Sequence, residues 1–157
     1  MEVAPLIKSM TIGKGERVSL SYSLSDDDDV SFISKNTGIA KVNNAGVVTG
    51  TGTGKTKMTL KTSTGGSCSV TINVKNAPKK VTVSATKKKI KKGKKLKLQV
   101  KLPAGSASYQ LTYQSSNKKI AAVSKKGVVT AKKKGTVKIT VTTFNGKRAV
   151  IKLKVMS

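Results

Sequence analysis

The chain has 157 residues, 32 Lys/Arg against 6 Asp/Glu, no histidine, one cysteine and five aromatic residues. The absence of histidine removes the usual general base, metal ligand and triad orienter, and a single thiol excludes an internal disulfide. No stretch approaches the ~18–20 apolar residues that cross a bilayer as a helix, and the length suits one large domain or two small ones.

The charge is unevenly placed. All six acids precede residue 30: Glu2, Glu16 and the run Asp26, Asp27, Asp28, Asp29. Up to Asn76 there are nine Lys/Arg and these six acids, a net of +3; from Ala77 onward there are 23 Lys/Arg and no acid, a net of +23. A segment of that charge repels itself and attracts polyanions, most strongly at low salt. Its lysines alternate with apolar residues, which argues for a folded sheet rather than for disorder.

Taken in chain order, the apolar pattern has a period of two. Val18, Leu20, Tyr22 and Leu24 alternate with Arg17, Ser19, Ser21 and Ser23, and Val70, Ile72 and Val74 close the first half in the same way. In the second half, strands are predicted near 81–86, 94–102, 109–114, 119–123, 127–131, 135–143 and 147–155. Gly13-Lys14-Gly15, Asn43-Asn44-Ala45-Gly46, Gly65-Gly66, Lys125-Lys126-Gly127 and Asn145-Gly146 supply turns between them. Val, Ile and Thr dominate these segments, and branching at Cβ favours the pleated strand. One face goes to a core and the other to water, as in an antiparallel sandwich.

An internal repeat sets the organisation. Ser34–Val74 aligns without a gap on Ser115–Val155 at an offset of 81, with 15 of 41 positions identical. Upstream the offset is 78, placing Ile12 and Gly15 on Ile90 and Gly93, so the second copy carries three extra residues within 103–113. Two all-β domains are expected, over 1–76 and 77–157, joined by the short Lys75-Asn76-Ala77-Pro78-Lys79 junction.

The repeated stretch has a recognisable form. In the second copy it reads Tyr113-Gln114-Ser115-Ser116-Asn117, Ile120-Ala121-Ala122-Val123, Gly127-Val128-Val129-Thr130 and Gly135. In the first it reads Phe32-Ile33-Ser34-Lys35-Asn36, Ile39-Ala40-Lys41-Val42, Gly46-Val47-Val48-Thr49 and Gly54. Both resemble the bacterial immunoglobulin-like domain, group 2, found in tandem in intimin- and invasin-type surface proteins. The family usually has Trp where Phe32 and Tyr113 stand, and commonly Pro where Thr37 and Lys118 stand. The resemblance implies two tandem immunoglobulin-like β-sandwiches, no enzyme activity, no cofactor, and a place in a secreted or cell-surface bacterial protein.

The residues that invite chemical readings are few. Cys68 shares the inward parity of Val70, Ile72 and Val74 and aligns with Ala149, so it reads as a small core residue rather than a nucleophile. Gly50-Thr51-Gly52-Thr53-Gly54-Lys55-Thr56 lacks the first glycine of a phosphate loop and precedes a strand, not a helix, so it reads as a turn. Asp26, Asp27, Asp28 and Asp29 offer hard oxygen ligands for calcium, yet four consecutive acids cannot all converge, and a solvated loop is the expectation.

The lysines carry the strongest functional signal. In an immunoglobulin-like topology the loops holding Lys87, Lys88, Lys89, Lys91 and Lys92, then Lys118 and Lys119, then Lys132, Lys133 and Lys134, share one pole. Such a cluster of point charges suits diffuse attachment to an anionic cell-wall polymer, such as teichoic acid, or to an acidic glycan. The competing readings are a solubilising surface on a spacer or adhesion segment that binds a host surface receptor, and a phage structural decoration domain. Specific nucleic-acid recognition is not expected, because Arg148 is the only arginine in the basic half and exposed aromatics are scarce. Met1-Glu2-Val3-Ala4-Pro5 lacks the basic start and apolar core of a signal peptide, and a monomeric fragment of a longer chain is expected.

Overall fold

The computed structural model describes residues 3–5, 8–24 and 29–157. The chain divides into two compact units. Unit 1 comprises Met1–Ala77 with Gly105–Tyr109, and unit 2 comprises Pro78–Ala104 with Gln110–Ser157. All the regular structure in the described residues is strand.

Unit 1 contains β1 (Val3–Pro5), β2 (Ser9–Gly13), β3 (Arg17–Ser19), β4 (Tyr22–Leu24), β5 (Val30–Ser34), β6 (Ala40–Val42), β7 (Val47–Gly50), β8 (Gly54–Thr62) and β9 (Ser67–Lys75). One sheet runs in the order β2-β9-β8-β5, the other in the order β3-β7-β6, and β1 pairs with β4. The alternation read from the sequence puts Met58 and Leu60 of β8 and Val70, Ile72 and Val74 of β9 inward, where each is at most 1% exposed. They pack with Ile12, Val18, Leu20, Ala40 and Val48, and each fully buried aliphatic side chain contributes about 1.5–3 kcal/mol. Lys55, Lys57 and Lys61 on the opposite parity are exposed. Buried Glu16 is an exception to the apolar interior. Its Oε1 accepts the Gly13 N–H at 2.9 Å and the Tyr109 N–H at 2.8 Å, both inside unit 1.

Unit 2 repeats the plan with β10 (Thr82–Ser84), β11 (Lys89–Lys91), β12 (Lys95–Lys97), β13 (Gln99–Lys101), β14 (Leu111–Ser115), β15 (Ala121–Val123), β16 (Val128–Ala131), β17 (Gly135–Thr143) and β18 (Arg148–Met156). One sheet is ordered β11-β18-β17-β14 and the other β12-β16-β15, with β10 on β13. Its core holds Val137, Ile139, Ile151, Leu153 and Val155 against Leu98, Ala121 and Val129.

Two features depart from the strands read in the sequence. The stretch predicted as one strand over 94–102 is two, because the N–H of buried Leu98 donates to Gly127 O at 2.9 Å. The stretch holding Lys87–Lys92, expected as a loop, contains β11, which pairs in parallel with β18. The opening strand thus changes sheets: β10 lies on β13, and after a short crossover β11 lies on β18. In unit 1, β1 on β4 and β2 on β9 do the same.

The shared motif residues build this frame. Ser34 and Ser115 each donate Oγ–H to the carbonyl of Ala40 or Ala121 at 2.6 Å. Asn36 and Asn117 accept at Oδ1 the N–H two residues on, at 3.0 Å, which closes a tight side-chain turn. Gly46 and Gly127 adopt φ of 81° and 82°, and a Cβ there would stand 2.9 Å from the Phe32 or Tyr113 ring. Only glycine combines that backbone with so close an aromatic.

Candidate polyanion-binding surface

All ten lysines singled out in the sequence are exposed. Their placement follows from the backbone hydrogen bonds at one end of unit 2. The Gly93 N–H donates to Ala131 O at 2.9 Å and the Ala131 N–H to Lys94 O at 3.0 Å. The N–H groups of Lys132 and Lys133 both donate to Ile120 O, at 2.7 and 3.1 Å. The turn after β11, the turn before β17 and the turn before β15 are therefore stitched together. These turns carry Lys92, then Lys132, Lys133 and Lys134, then Lys118 and Lys119. The Lys92 N–H also donates to Met156 O at 2.8 Å, which ties the end of β18 to the same pole.

The remaining lysines lie elsewhere on unit 2. Lys89 and Lys91 sit on β11 opposite Lys154 and Met156 of β18, and the Lys154 N–H donates to Lys88 O at 2.9 Å. Lys87, Lys88 and Lys89 therefore run along the edge of the β11-β18-β17-β14 sheet. There they meet lysines that the sequence reading did not include. Lys152 faces Lys138 across the β17–β18 pair, and Lys154 lies two residues further along the same face. Like charges directly opposite one another in a sheet are destabilising, and unit 2 has no carboxylate side chain to offset them. The hairpin turns on three residues, Phe144-Asn145-Gly146, with the Thr143 N–H donating to Lys147 O at 2.8 Å; counting outward from the Asn145-Gly146 pair alone would put Leu153 opposite Lys138, one residue out of the observed register.

Two depressions flank β11. One, of about 460 Å³, has Ile90, Leu96 and Met156 in its lining, with Lys87, Lys91 and Lys95 beside them. The other, of about 610 Å³, runs beside β18 and is lined in part by Ala85, Lys88, Lys89, Val150, Lys152 and Lys154. Val150 is 57% exposed.

The other sequence candidates have plain structural places. Cys68 is half-buried against the unit 1 core, and burial pushes its thiol pKa up, which suppresses the nucleophilic thiolate. The glycine-rich stretch after β7 is a turn whose Thr51 and Gly52 N–H groups both donate to Ile39 O. Those donors are already engaged, and Lys132 and Lys133 repeat the arrangement on Ile120. Of the acidic run, Asp29 is exposed just before β5, while Asp26, Asp27 and Asp28 lie outside the described residues. Among the described residues no group of three or more His, Cys, Asp or Glu side chains gathers to hold a metal ion, and no helix is long and apolar enough to cross a membrane.

Comparison with known proteins adds to this geometry. Residues 77–153 match the model of the bacterial Ig-like domain (group 2). A stretch of 82 residues is 42% identical to a kappa-carrageenase of Pseudoalteromonas carrageenovora, covering 52% of this chain and 20% of that protein. A stretch of 66 residues is 41% identical to a lacto-N-biosidase of Bifidobacterium bifidum, covering 42% of this chain and 6% of that protein. The chain thus spans a fifth or less of the length of these relatives. Among solved structures, the C-terminal fragment of intimin in complex with the translocated intimin receptor is 16% identical over 98% of this chain and 63% of that one, with a TM-score of 0.39. Domains 4–9 of the surface layer protein SbsC are 20% identical over 99% of this chain and 31% of that one, with a TM-score of 0.44. The bacterial Ig-like domain (group 2) is thus recognised over residues 77–153, just under half of the chain.

Proposed function

We propose that this chain is a non-enzymatic structural and adhesion module of a secreted or cell-surface bacterial protein. One observation supports the reading above others: the residues the two copies share are engaged in holding the sandwich. The serine hydroxyls bond to Ala40 and Ala121 carbonyls, the asparagines close turns, and the glycines admit the aromatic rings. Reactive chemistry has no histidine to draw on and no acid beyond Asp29. The two hydrolases that share part of the sequence match it over a small fraction of their own lengths. An antibody raised against the chain should label intact cells of the source bacterium; labelling only after lysis would overturn the proposal.

A second reading rests on the stitched lysine pole. There unit 2 acts as an attachment module that holds its parent on an anionic wall polymer or acidic glycan. Lysine ammonium groups are point charges without the fork geometry of arginine, which suits diffuse contact with a flexible polyanion. Purified cell wall should retain the chain at low salt and release it progressively as salt screens the contacts. No retention at about 150 mM salt, where the Debye length is about 8 Å, would remove this reading.

A further inference from the structure

The outer face of the β11-β18-β17-β14 sheet carries a pattern that the fold does not require. Lys138 stands opposite Lys152, and Lys89 opposite Lys154. Unit 1 provides the internal control, since its equivalent strands have the same register. There the matching pairs are Lys57 opposite Thr71 and Thr11 opposite Asn73. The same architecture is thus built without opposed cations, and a surface that only needed solubility would gain nothing by setting ammonium groups face to face. Such pairs cost stability in the free protein, and an anion placed between them relieves that cost.

We infer that this face of unit 2, with the groove beside β18, is a binding track for a phosphodiester-linked polyol chain. Three features of the face select that occupant. First, alternate residues along a strand are about 6.7 Å apart and neighbouring strands about 4.8 Å, so Lys152 and Lys154 are spaced along β18 like successive phosphates on a polymer of three-carbon repeats. Second, the outward positions of β17 and β18 hold Thr136, Thr140, Thr142 and Val150 among the cations and no aromatic residue. Single-stranded nucleic acids add base stacking on aromatic side chains to their phosphate contacts, which this face does not offer, whereas a thin polyol backbone needs only shallow contact. Third, the groove of about 610 Å³ is lined by Val83, Ala85 and Val150 together with Lys88, Lys89, Lys152 and Lys154, so apolar surface and cationic charge share one groove.

This inference rests on the polyanion reading of unit 2 and locates it on the sheet rather than on the pole, so its test compares the two sites at equal charge. Lys89→Thr, Lys152→Thr and Lys154→Asn together install the residues that unit 1 already carries on this face. Lys132→Thr, Lys133→Gly and Lys134→Thr do the same at the pole. Binding of fluorescent poly(glycerol phosphate) is measured by anisotropy for wild type and both triples, with heparin and oligo-dT as competitors. The face triple should lose at least tenfold in affinity, and its plot of log affinity against log salt should flatten by about 2–3, at roughly 0.7–0.9 per phosphate contact. The pole triple should lose less than threefold.

If wild type binds none of the three polymers, the polyanion reading falls and this inference with it. If wild type binds but the two triples weaken equally, or the pole triple weakens more, the reading stands and the sheet track is wrong. Heparin or oligo-dT displacing the probe at lower concentration than unlabelled poly(glycerol phosphate) would overturn the occupant. Amine labelling of wild type is an independent check if a triple misfolds. The bound polymer should protect Lys89, Lys152 and Lys154 more than Lys132–Lys134, and the reverse order would refute the track.

Discussion

Thr56 offers a test in which the protein supplies its own control. It lies inward on β8, opposite Ile72, and is 6% exposed. Among the described residues, its Oγ1 is the buried side-chain polar atom that has no hydrogen-bond partner. The aligned residue in unit 2 is Val137, 1% exposed and opposite Leu153. Thr56→Val keeps the branching at Cβ, and with it the stiff χ1 preference, while replacing a desolvated hydroxyl by a methyl. A buried unsatisfied polar group costs about 1–3 kcal/mol, so the substitution should stabilise unit 1 by about 1 kcal/mol or slightly more. For a domain of this size that corresponds to a rise of about 4–8 °C in Tm. The two units need not unfold together, so one global curve is a poor readout. Native-state hydrogen exchange at Met58, Leu60 and Ile72 reports unit 1 directly. The reciprocal Val137→Thr should destabilise unit 2 by about 1–3 kcal/mol. Slower exchange in the first variant with faster exchange around Ile139 and Leu153 in the second is the expected pair of results. Thr56→Val leaving exchange unchanged would refute the argument, because the hydroxyl would then have been satisfied.

Three further outcomes follow from particular contacts. Gly127→Ala forces a Cβ into φ of 82° and to within 2.9 Å of the Tyr113 ring; a cost of about 1–2 kcal/mol for the backbone alone, with the ring displacement added, should appear in urea unfolding of unit 2. Cys68 has its pKa raised above the ordinary 9.0 by desolvation. The folded state therefore holds its proton where the unfolded chain has lost it, and stability is full below about pH 9 and declines as pH rises towards the folded pKa. Cys68→Ala, the residue at the aligned position 149, should flatten that decline in a pH series of thermal melts, and an unchanged slope would sink the assignment. Lys152→Thr removes one of two opposed cations and should stabilise unit 2 by about 0.2–1 kcal/mol at low salt. That gain should vanish near 1 M salt, where the Debye length is about 3 Å, and a gain that persists there would show a packing effect instead.

Much of the fold could be read because its signals are local. A period of two, β-branched composition and glycine- or asparagine-marked turns locate β17 and β18 to within a residue, and the gap-free repeat assigns the same plan to both units. β11 escaped because it is three residues long and buries only Ile90, so amid Lys87–Lys92 it looks like charged loop; its strand character comes from parallel pairing with β18, at the far end of unit 2. The break at Leu98 escaped for a similar reason, since the bond that interrupts the strand goes to Gly127. Glu16 enters the charge count as one of six acids, and nothing in its neighbours announces burial. Its acceptor role depends on the Tyr109 N–H, 93 residues away.

The two copies also separate what the sandwich needs from what unit 2 has added. Positions identical between them, from Ser34/Ser115 through Gly54/Gly135, make the same bonds and the same close approaches in each, so their retention is accounted for by folding alone. Positions that differ systematically are the informative ones. Thr51, Gly52 and Thr53 become Lys132, Lys133 and Lys134 while the backbone bonds to Ile39 and Ile120 stay the same. Thr11, Thr71 and Asn73 become Lys89, Lys152 and Lys154 while the strand registers stay the same. In both places charge has been added to an unchanged scaffold, at positions that are exposed in unit 2 and carry uncharged residues in unit 1. On the sheet it has been added in opposed pairs, at a cost in stability. Solubility alone gives no reason to oppose like charges, whereas binding a chain of regularly spaced anions does.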